Sequence, residues 1–168
     1  MSHHHGDDAT PLQAKVLTVS DGVAHGTRDD ASGAALADHL GSSGWEVVGR
    51  AVCEDGEESV AEAIGRLVDG FHGLVVTTGG TGFGPRDRTP EGTGRILDRS
   101  APGLAEAMRL VSPFGRLSRA VAGTSGTALI LNTPGSTRGC IETLDAVLDV
   151  LPHAVRLLVD NADPHPRS

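Results

Sequence analysis

Aromatic side chains are nearly absent from this sequence, because they make up 2% of its 168 residues and none of them is a tyrosine. A core of this composition has to be packed with Val, Leu, Ile and Ala. Stacking of nucleobases on aromatic rings is therefore excluded as the main activity. Lysine is scarcer still, since Lys15 is the only one, and the net charge is −8. This charge balance argues against a nucleic-acid or membrane partner.

Cysteine is also scarce, because Cys53 and Cys140 are the only two. Two cysteines so far apart in sequence make neither a disulfide framework nor a four-ligand zinc site, and they are typical of reduced thiols. No apolar run reaches the roughly 7 to 15 residues of a signal peptide or the roughly 20 of a membrane span. We therefore expect a cytoplasmic protein.

The length of the chain bounds it to a single domain. Residues 1–12, which include three consecutive histidines, have no apolar periodicity. We expect them to be a disordered leader or the remnant of a purification tag. Residues 13–162 form the predicted domain, and residues 163–168 form a tail. Within the domain, short apolar runs alternate with segments of helical periodicity. This alternation predicts an α/β sandwich.

The predicted elements follow from periodicity and from the positions of Gly and Pro. Strands are predicted at residues 15–20, 45–53, 73–78, 119–123 and 127–131. Helices are predicted around residues 36–40, 60–68, 90–99, 103–111, 141–151 and 153–159. Thr89 is the predicted N-cap of the third of these helices, with Pro90 at its first position. The run at 73–78, GLVVTT, is typical of a strand buried on both faces of a parallel sheet.

The segments that follow strands are the candidates for a site, because ligands of open α/β sheets bind beyond the carboxyl ends of the strands. Residues 79–91, GGTGFGPRDRTPE, have four glycines in six positions, which lets main-chain N–H groups approach an anion closely. Arg86, Arg88 and the helix start near Pro90 add positive charge. The segment therefore predicts an anion site. The alternative is a tight loop in which glycine only relieves crowding.

Two familiar phosphate motifs are excluded. A Walker loop needs a lysine after its last glycine, and a dinucleotide fingerprint needs glycine where Pro85 stands. Asp87 is either the counter-ion of a neighbouring arginine or a ligand of Mg²⁺ beside the phosphate site. Asp55 also follows a predicted strand and is placed to face the same cleft, although Asp55-Gly56 is a turn signal as well.

Residues 77–91, TTGGTGFGPRDRTPE, closely resemble the signature of the MogA/MoaB family of molybdenum-cofactor biosynthesis proteins. Three further segments agree in order: TVSD at 18–21, LSRAVAG at 117–123 and LNTPGS at 131–136. The resemblance covers about residues 15–158. It implies a three-layer α/β sandwich with a mostly parallel central sheet, usually assembled as a homotrimer, that binds molybdopterin. MogA-type members transfer AMP from Mg-ATP to the terminal phosphate of molybdopterin and release pyrophosphate.

The resemblance also implies roles for particular residues. Asp55 and Asp87 match the acidic residues tied to catalysis and to Mg²⁺, the cofactor that accompanies ATP. The matched binding positions are Ser20, Asp21, Gly79, Gly80, Thr81, Gly82, Arg86, Thr89, Ser118, Asn132, Pro134, Gly135 and Ser136. A further implied partner is a downstream molybdate-insertion protein that receives the product.

Two alternatives to this enzyme stay open at the level of sequence. One is a MoaB-type protein that binds molybdopterin without adenylylating it. The other is a phosphate-sensing domain outside the family that uses the same glycine-rich segment. The presence of both Asp55 and Asp87 favours the enzyme.

Overall fold

A computed structural model of the protein describes residues 10–159. The predicted tail at 163–168 and residues 1–9 of the predicted leader lie outside the described residues. Leu12 falls within the predicted leader, yet its side chain packs against the core. Its carbonyl also accepts a hydrogen bond of 2.9 Å from the N–H of Glu46. The packed part of the chain therefore already includes Leu12.

The described residues form one six-stranded sheet in the order β2-β1-β3-β6-β5-β4. The strands are β1 (Gln13–Val19), β2 (Glu46–Cys53), β3 (Gly73–Thr78), β4 (Arg99–Ser100), β5 (Ala122–Ser125) and β6 (Ala128–Thr133). The first four strands in the spatial order are parallel, whereas β5 and β4 run antiparallel to their neighbours. The predicted mostly parallel sheet is confirmed.

Helices cover both faces of this sheet. They are α1 (Asp21–Ala24), α2 (Ala31–Ser42), α3 (Glu57–Val68), α4 (Thr89–Ile96), α5 (Pro102–Arg109), α6 (Thr137–Asp145) and α7 (Leu151–Leu157), with a 3-10 helix at Pro113–Leu117. One core packs α2, α5, α6 and α7 against one face, and a second core packs α3 and α4 against the other. This is the predicted three-layer sandwich. None of the described helices is long and apolar enough to span a membrane.

The central strand β3 shows why an unbroken apolar run belongs in this position. Leu74 and Val76 lie in the first core, whereas Val75 between them lies in the second. Successive side chains of a strand point to opposite faces, so a strand covered on both sides needs apolar residues throughout. All residues of β3 and of its neighbour β6 are buried, as the sequence predicted for β3.

Several predicted boundaries are wrong. The helix predicted at 90–99 ends at Ile96, because the chain turns to place Arg99 in β4, opposite Thr124 of β5. The strand predicted at 119–123 begins only at Ala122. The helix predicted at 141–151 ends at Asp145, and the short helix predicted at 153–159 begins at Leu151, with Pro152 in its first turn, where the missing N–H of proline does no harm.

Candidate functional site

The four parallel strands end at the same edge of the sheet, and the loops that follow them enclose one cleft. Its volume is about 470 Å³. We call it the aspartate cleft, because Asp29, Asp55 and Asp87 line it. The residues of this lining that the resemblance implied are Asp55, Asp87, Ser20, Gly79, Gly80, Gly135 and Ser136. The structure thus brings together residues from four separate segments of the sequence.

The glycine loop, residues 79–88, joins β3 to α4 and needs glycine at its first two positions. Gly79 has a φ of 102° and Gly80 a φ of 71°, a region that other residues rarely adopt. A β-carbon on Gly79 would also collide with the carbonyl of Val19, and one on Gly80 would collide with the hydroxyl of Thr89. Main chain therefore lines this part of the cleft directly.

Thr89 supports the glycine loop from the protein interior. It is the first residue of α4, and its predicted role as an N-cap is wrong, since Arg88 holds that position. The Thr89 hydroxyl donates to the carbonyl of Gly79 at 2.9 Å, and its N–H donates to the carbonyl of Gly80 at 3.1 Å. The residue is fully buried. Its donors hold the loop in place and do not face the cleft.

The carboxylates of Asp55 and Asp87 are held by main-chain N–H groups. Asp55 Oδ2 accepts from the N–H of Asp21 at 3.1 Å, and Asp87 Oδ2 accepts from the N–H of Gly84 at 2.9 Å. Burial raises the pKa of Asp55, and the charges of Asp21 and Asp87 act in the same direction. The carboxylates thus repel one another electrostatically, and a bound cation would relieve this repulsion.

Asp21 and Arg86 form an ion pair across the rim of the cleft. Arg86 donates through Nε and Nη2 to the two carboxylate oxygens of Asp21 at 2.6 and 2.9 Å, which lowers the pKa of that carboxyl. Arg86 also donates to the carbonyl of Asp55 at 3.1 Å. The N–H of Asp55 in turn donates to Asp21 at 3.2 Å. These bonds connect the loops after β1, β2 and β3.

A second, larger cavity lies between α6 and the segment from α5 to the 3-10 helix. Its volume is about 880 Å³. Ser118, Pro134 and Ser136, three residues that the resemblance implied, line this α6 cavity. Ser136 lines the aspartate cleft as well, so the loop from β6 to α6 lies between the two cavities.

Asn132, in contrast, is fully buried and contributes to neither cavity. Its amide nitrogen donates to the hydroxyls of Thr77 and Thr93 at 3.0 and 2.9 Å. Its amide oxygen accepts from the N–H of Val121 at 3.2 Å. The structure therefore places Asn132 in the interior, where it joins β3, β6, α4 and the chain that enters β5.

We expect the Asn132→Leu variant to lose about 2–3 kcal/mol of unfolding free energy, because a leucine of similar size leaves the N–H of Val121 and the hydroxyls of two buried threonines without their partner. Urea unfolding followed by circular dichroism measures this loss. An unchanged unfolding free energy together with weaker ligand binding would instead show that Asn132 contacts a ligand.

Thr81 and Gly82 are the remaining predicted binding residues of the loop. Thr81 is buried, and the carbonyls of Thr81 and Gly82 both accept hydrogen bonds from Arg119. Thr81 and Gly82 therefore lie on the side of the loop that packs against Arg119. Of the predicted residues of this loop, only Gly79, Gly80 and Asp87 line the aspartate cleft.

Sequence reasoning assigned no site role to several residues that line the two cavities. Arg28 and Asp29 line the aspartate cleft, and Arg109 and Arg138 line the α6 cavity. The position of Arg28 and Asp29 after the first strand was the available signal, because loops at that edge of the sheet form the site. The first residues of α2 and α6 also line the aspartate cleft, where the helix N-termini favour negative charge.

An α/β sandwich with glycine main chain and aspartates at the carboxyl edge of parallel strands is the architecture of a domain that binds phosphorylated ligands. Comparison with known proteins identifies the family. Residues 15–153 match the family model described as "Probable molybdopterin binding domain". The chain therefore belongs to the MogA/MoaB family of molybdenum-cofactor biosynthesis proteins, as the resemblance indicated.

Individual relatives agree with this assignment. The chain is 34% identical over 158 residues to a molybdopterin adenylyltransferase of Helicobacter pylori strain J99, with 87% of each protein covered. It is 35% identical over 153 residues to the molybdenum cofactor synthesis protein cinnamon of Drosophila melanogaster, of which it spans only 25%. The crystal structure of the molybdopterin biosynthesis enzyme MoaB from Thermus thermophilus superposes with a TM-score of 0.82 at 42% identity, covering 91% of this chain and 99% of that one.

Proposed function

We propose that the protein is a molybdopterin adenylyltransferase, which joins the AMP of ATP to the terminal phosphate of molybdopterin and releases pyrophosphate. The observation that supports this most is the composition of the aspartate cleft, where three carboxylates lie beside the main chain of Gly79 and Gly80. A polyphosphate alone is repelled by these carboxylates, whereas a polyphosphate complexed with a divalent cation is attracted. The cleft therefore suits a metal-bound nucleotide.

Asp55 and Asp87 are the residues suited to hold Mg²⁺. This ion takes one or two protein carboxylates and completes its coordination with water and substrate phosphate oxygens. Burial raises the pKa of Asp55, the charges of Asp21 and Asp87 add to this effect, and a bound cation would offset their repulsion. When bound, Mg²⁺ would neutralise charge that develops on the α-phosphate and the leaving pyrophosphate.

The protein's own groups orient the two reactants. Gly80 of the glycine loop, the start of α6 and Arg28 line the aspartate cleft and would contact the nucleotide there. The α6 cavity adjoins it through Ser136 and receives the pterin, so that both ligands meet at the β6–α6 loop. A phosphate oxygen of molybdopterin forms the new bond to the α-phosphorus as the bond between the α- and β-phosphates breaks. This oxygen is already ionised at neutral pH, so positioning matters more than a general base.

Adenylyl transfer is tested by measuring pyrophosphate release from ATP with molybdopterin present. We expect release that requires both molybdopterin and Mg²⁺ and stops when EDTA removes the metal. The alternative function is a MoaB-type protein that binds molybdopterin without turnover. Saturable molybdopterin binding without pyrophosphate release would identify this alternative, and nucleotide binding without pterin binding would exclude both.

We also propose a homotrimer in the cytoplasm that passes its product to a downstream molybdate-insertion protein. Leu110 and Phe114 expose 85% and 78% of their surface, and contact with another subunit would cover them. Both cysteines are free thiols, the state that a reducing compartment maintains. Light scattering measures the assembly, and a mass near that of one chain would exclude the trimer.

A further inference from the structure

Arg119 precedes β5, and its partly buried side chain reaches the glycine loop. Nε donates to the carbonyl of Gly82 at 2.8 Å, and Nη2 donates to the carbonyl of Asp87 at 2.5 Å. The main-chain N–H of Arg119 also donates to the carbonyl of Thr81 at 2.9 Å. Arg119 therefore binds carbonyls at both ends of the segment from Gly82 to Asp87.

Glu91 holds the guanidinium in this orientation. It lies in the first turn of α4, and its two carboxylate oxygens accept from Nη1 of Arg119 at 2.5 and 3.0 Å. All three guanidinium nitrogens are thus bonded within the protein, and the side chain is only 32% exposed. The planar guanidinium makes several bonds in fixed directions, which the single ammonium of lysine does not reproduce.

These bonds determine where the carboxylate of Asp87 lies. The N–H of Asp87 donates to the carbonyl of Gly84 at 3.0 Å, and its Oδ2 accepts from the N–H of Gly84 at 2.9 Å. The carbonyl of Asp87 is the group that Arg119 holds. We propose that Arg119 is a positioning residue, which fixes the main chain of Asp87 so that its carboxylate faces the aspartate cleft before any ligand binds. The catalytic consequence rests on the proposed function.

A direct phosphate contact is the competing role for an arginine so close to an anion site. That role depends on positive charge, which lysine retains at position 119. The positioning role depends on the bonds to Gly82 and Asp87, which lysine does not make together. The two roles therefore give opposite expectations for Arg119→Lys.

The test compares Arg119→Lys and Arg119→Gln with the wild type and with Arg116→Lys. Arg116 is a matched control, because it is exposed and donates to a carbonyl of its own 3-10 helix, that of Pro113, at 3.1 Å. Hydrogen exchange of residues 80–88 in the ligand-free protein reports the order of the loop, and pyrophosphate release gives kcat and the KM for Mg-ATP. We expect both Arg119 variants to exchange faster in this segment and to lose about 10- to 100-fold in kcat, with a smaller change in KM.

Wild-type exchange and wild-type kcat in Arg119→Lys would overturn the proposal, as would a loss confined to KM. If the Arg119 variants do not fold, Glu91→Gln loosens the same guanidinium, and faster exchange in residues 80–88 is again expected. Unchanged exchange in folded Glu91→Gln would overturn the proposal in that case. If the wild type itself releases no pyrophosphate, the proposed function fails, and the exchange experiment alone decides the role of Arg119.

Discussion

Replacing Asp87 with asparagine should lower kcat for pyrophosphate release by about 10²- to 10⁴-fold, because the charge that we propose to hold Mg²⁺ in the aspartate cleft is lost. Molybdopterin affinity should change by less than about twofold, since we propose that the pterin occupies the adjoining α6 cavity. The asparagine oxygen can still accept from the N–H of Gly84, as Asp87 Oδ2 does at 2.9 Å. The glycine loop therefore keeps its shape, which an alanine at this position would not guarantee.

The matched control for this variant is Asp98→Asn. The Asp98 carboxylate accepts from the N–H of Gly126 at 2.6 Å. Both substitutions therefore replace an aspartate that accepts a hydrogen bond from a glycine N–H with asparagine. This bond lies in the turn that precedes β6, at the opposite end of that strand from the aspartate cleft. Steady-state kinetics and a fluorescence titration of molybdopterin measure both variants. Normal turnover in Asp87→Asn, or an equal loss of turnover and pterin affinity, would contradict the assigned role.

The sheet and its ligand-binding edge were predictable because they depend on local patterns. An unbroken apolar run at β3, followed directly by glycines, indicates a strand buried on both faces and a loop at its carboxyl end. Asp55 and Asp87 could be placed in one cleft for the same reason, since each follows a strand of a parallel sheet. The structure confirms that both carboxylates line that cleft.

The direction of each polar side chain was not predictable, because it depends on partners that are distant in sequence. From the sequence, Arg86 was expected to donate hydrogen bonds to a bound anion. It instead pairs with Asp21, which lies 65 residues away. Asn132 looked like a cleft residue, but its partners come from three other segments. The α6 cavity was missed for a related reason, since it forms between elements that only the tertiary fold brings together.

Replacing Asp55 with asparagine should separate stability from activity, with kcat falling by about 10²- to 10³-fold and the melting temperature at pH 7 equal to or above that of the wild type. Burial and the charges of Asp21 and Asp87 raise the pKa of Asp55 in the folded protein, so its ionisation weakens the fold. Protonated Asp55 is more favourable to the fold than ionised Asp55. This stabilisation is fully present below the pKa of Asp55 in the unfolded chain, about 3.9, and is lost as the pH rises through its pKa in the folded protein. The variant's advantage should therefore be present at pH 7 and disappear below about pH 4.

Glu54→Gln is the control for this prediction, because it removes the same charge from the neighbouring residue. Glu54 is exposed and pairs with His25 at 2.7 Å, so its substitution should leave turnover unchanged and should not raise the melting temperature. Thermal unfolding with and without Mg-ATP adds a second measurement, since a ligand that binds the folded protein stabilises it in proportion to its affinity. Mg-ATP should stabilise the wild type and Glu54→Gln more than Asp55→Asn. If Asp55→Asn instead melts at a lower temperature and turns over normally, Asp55 serves only the turn between β2 and α3, and the proposed metal ion would be held by other carboxylates of the cleft.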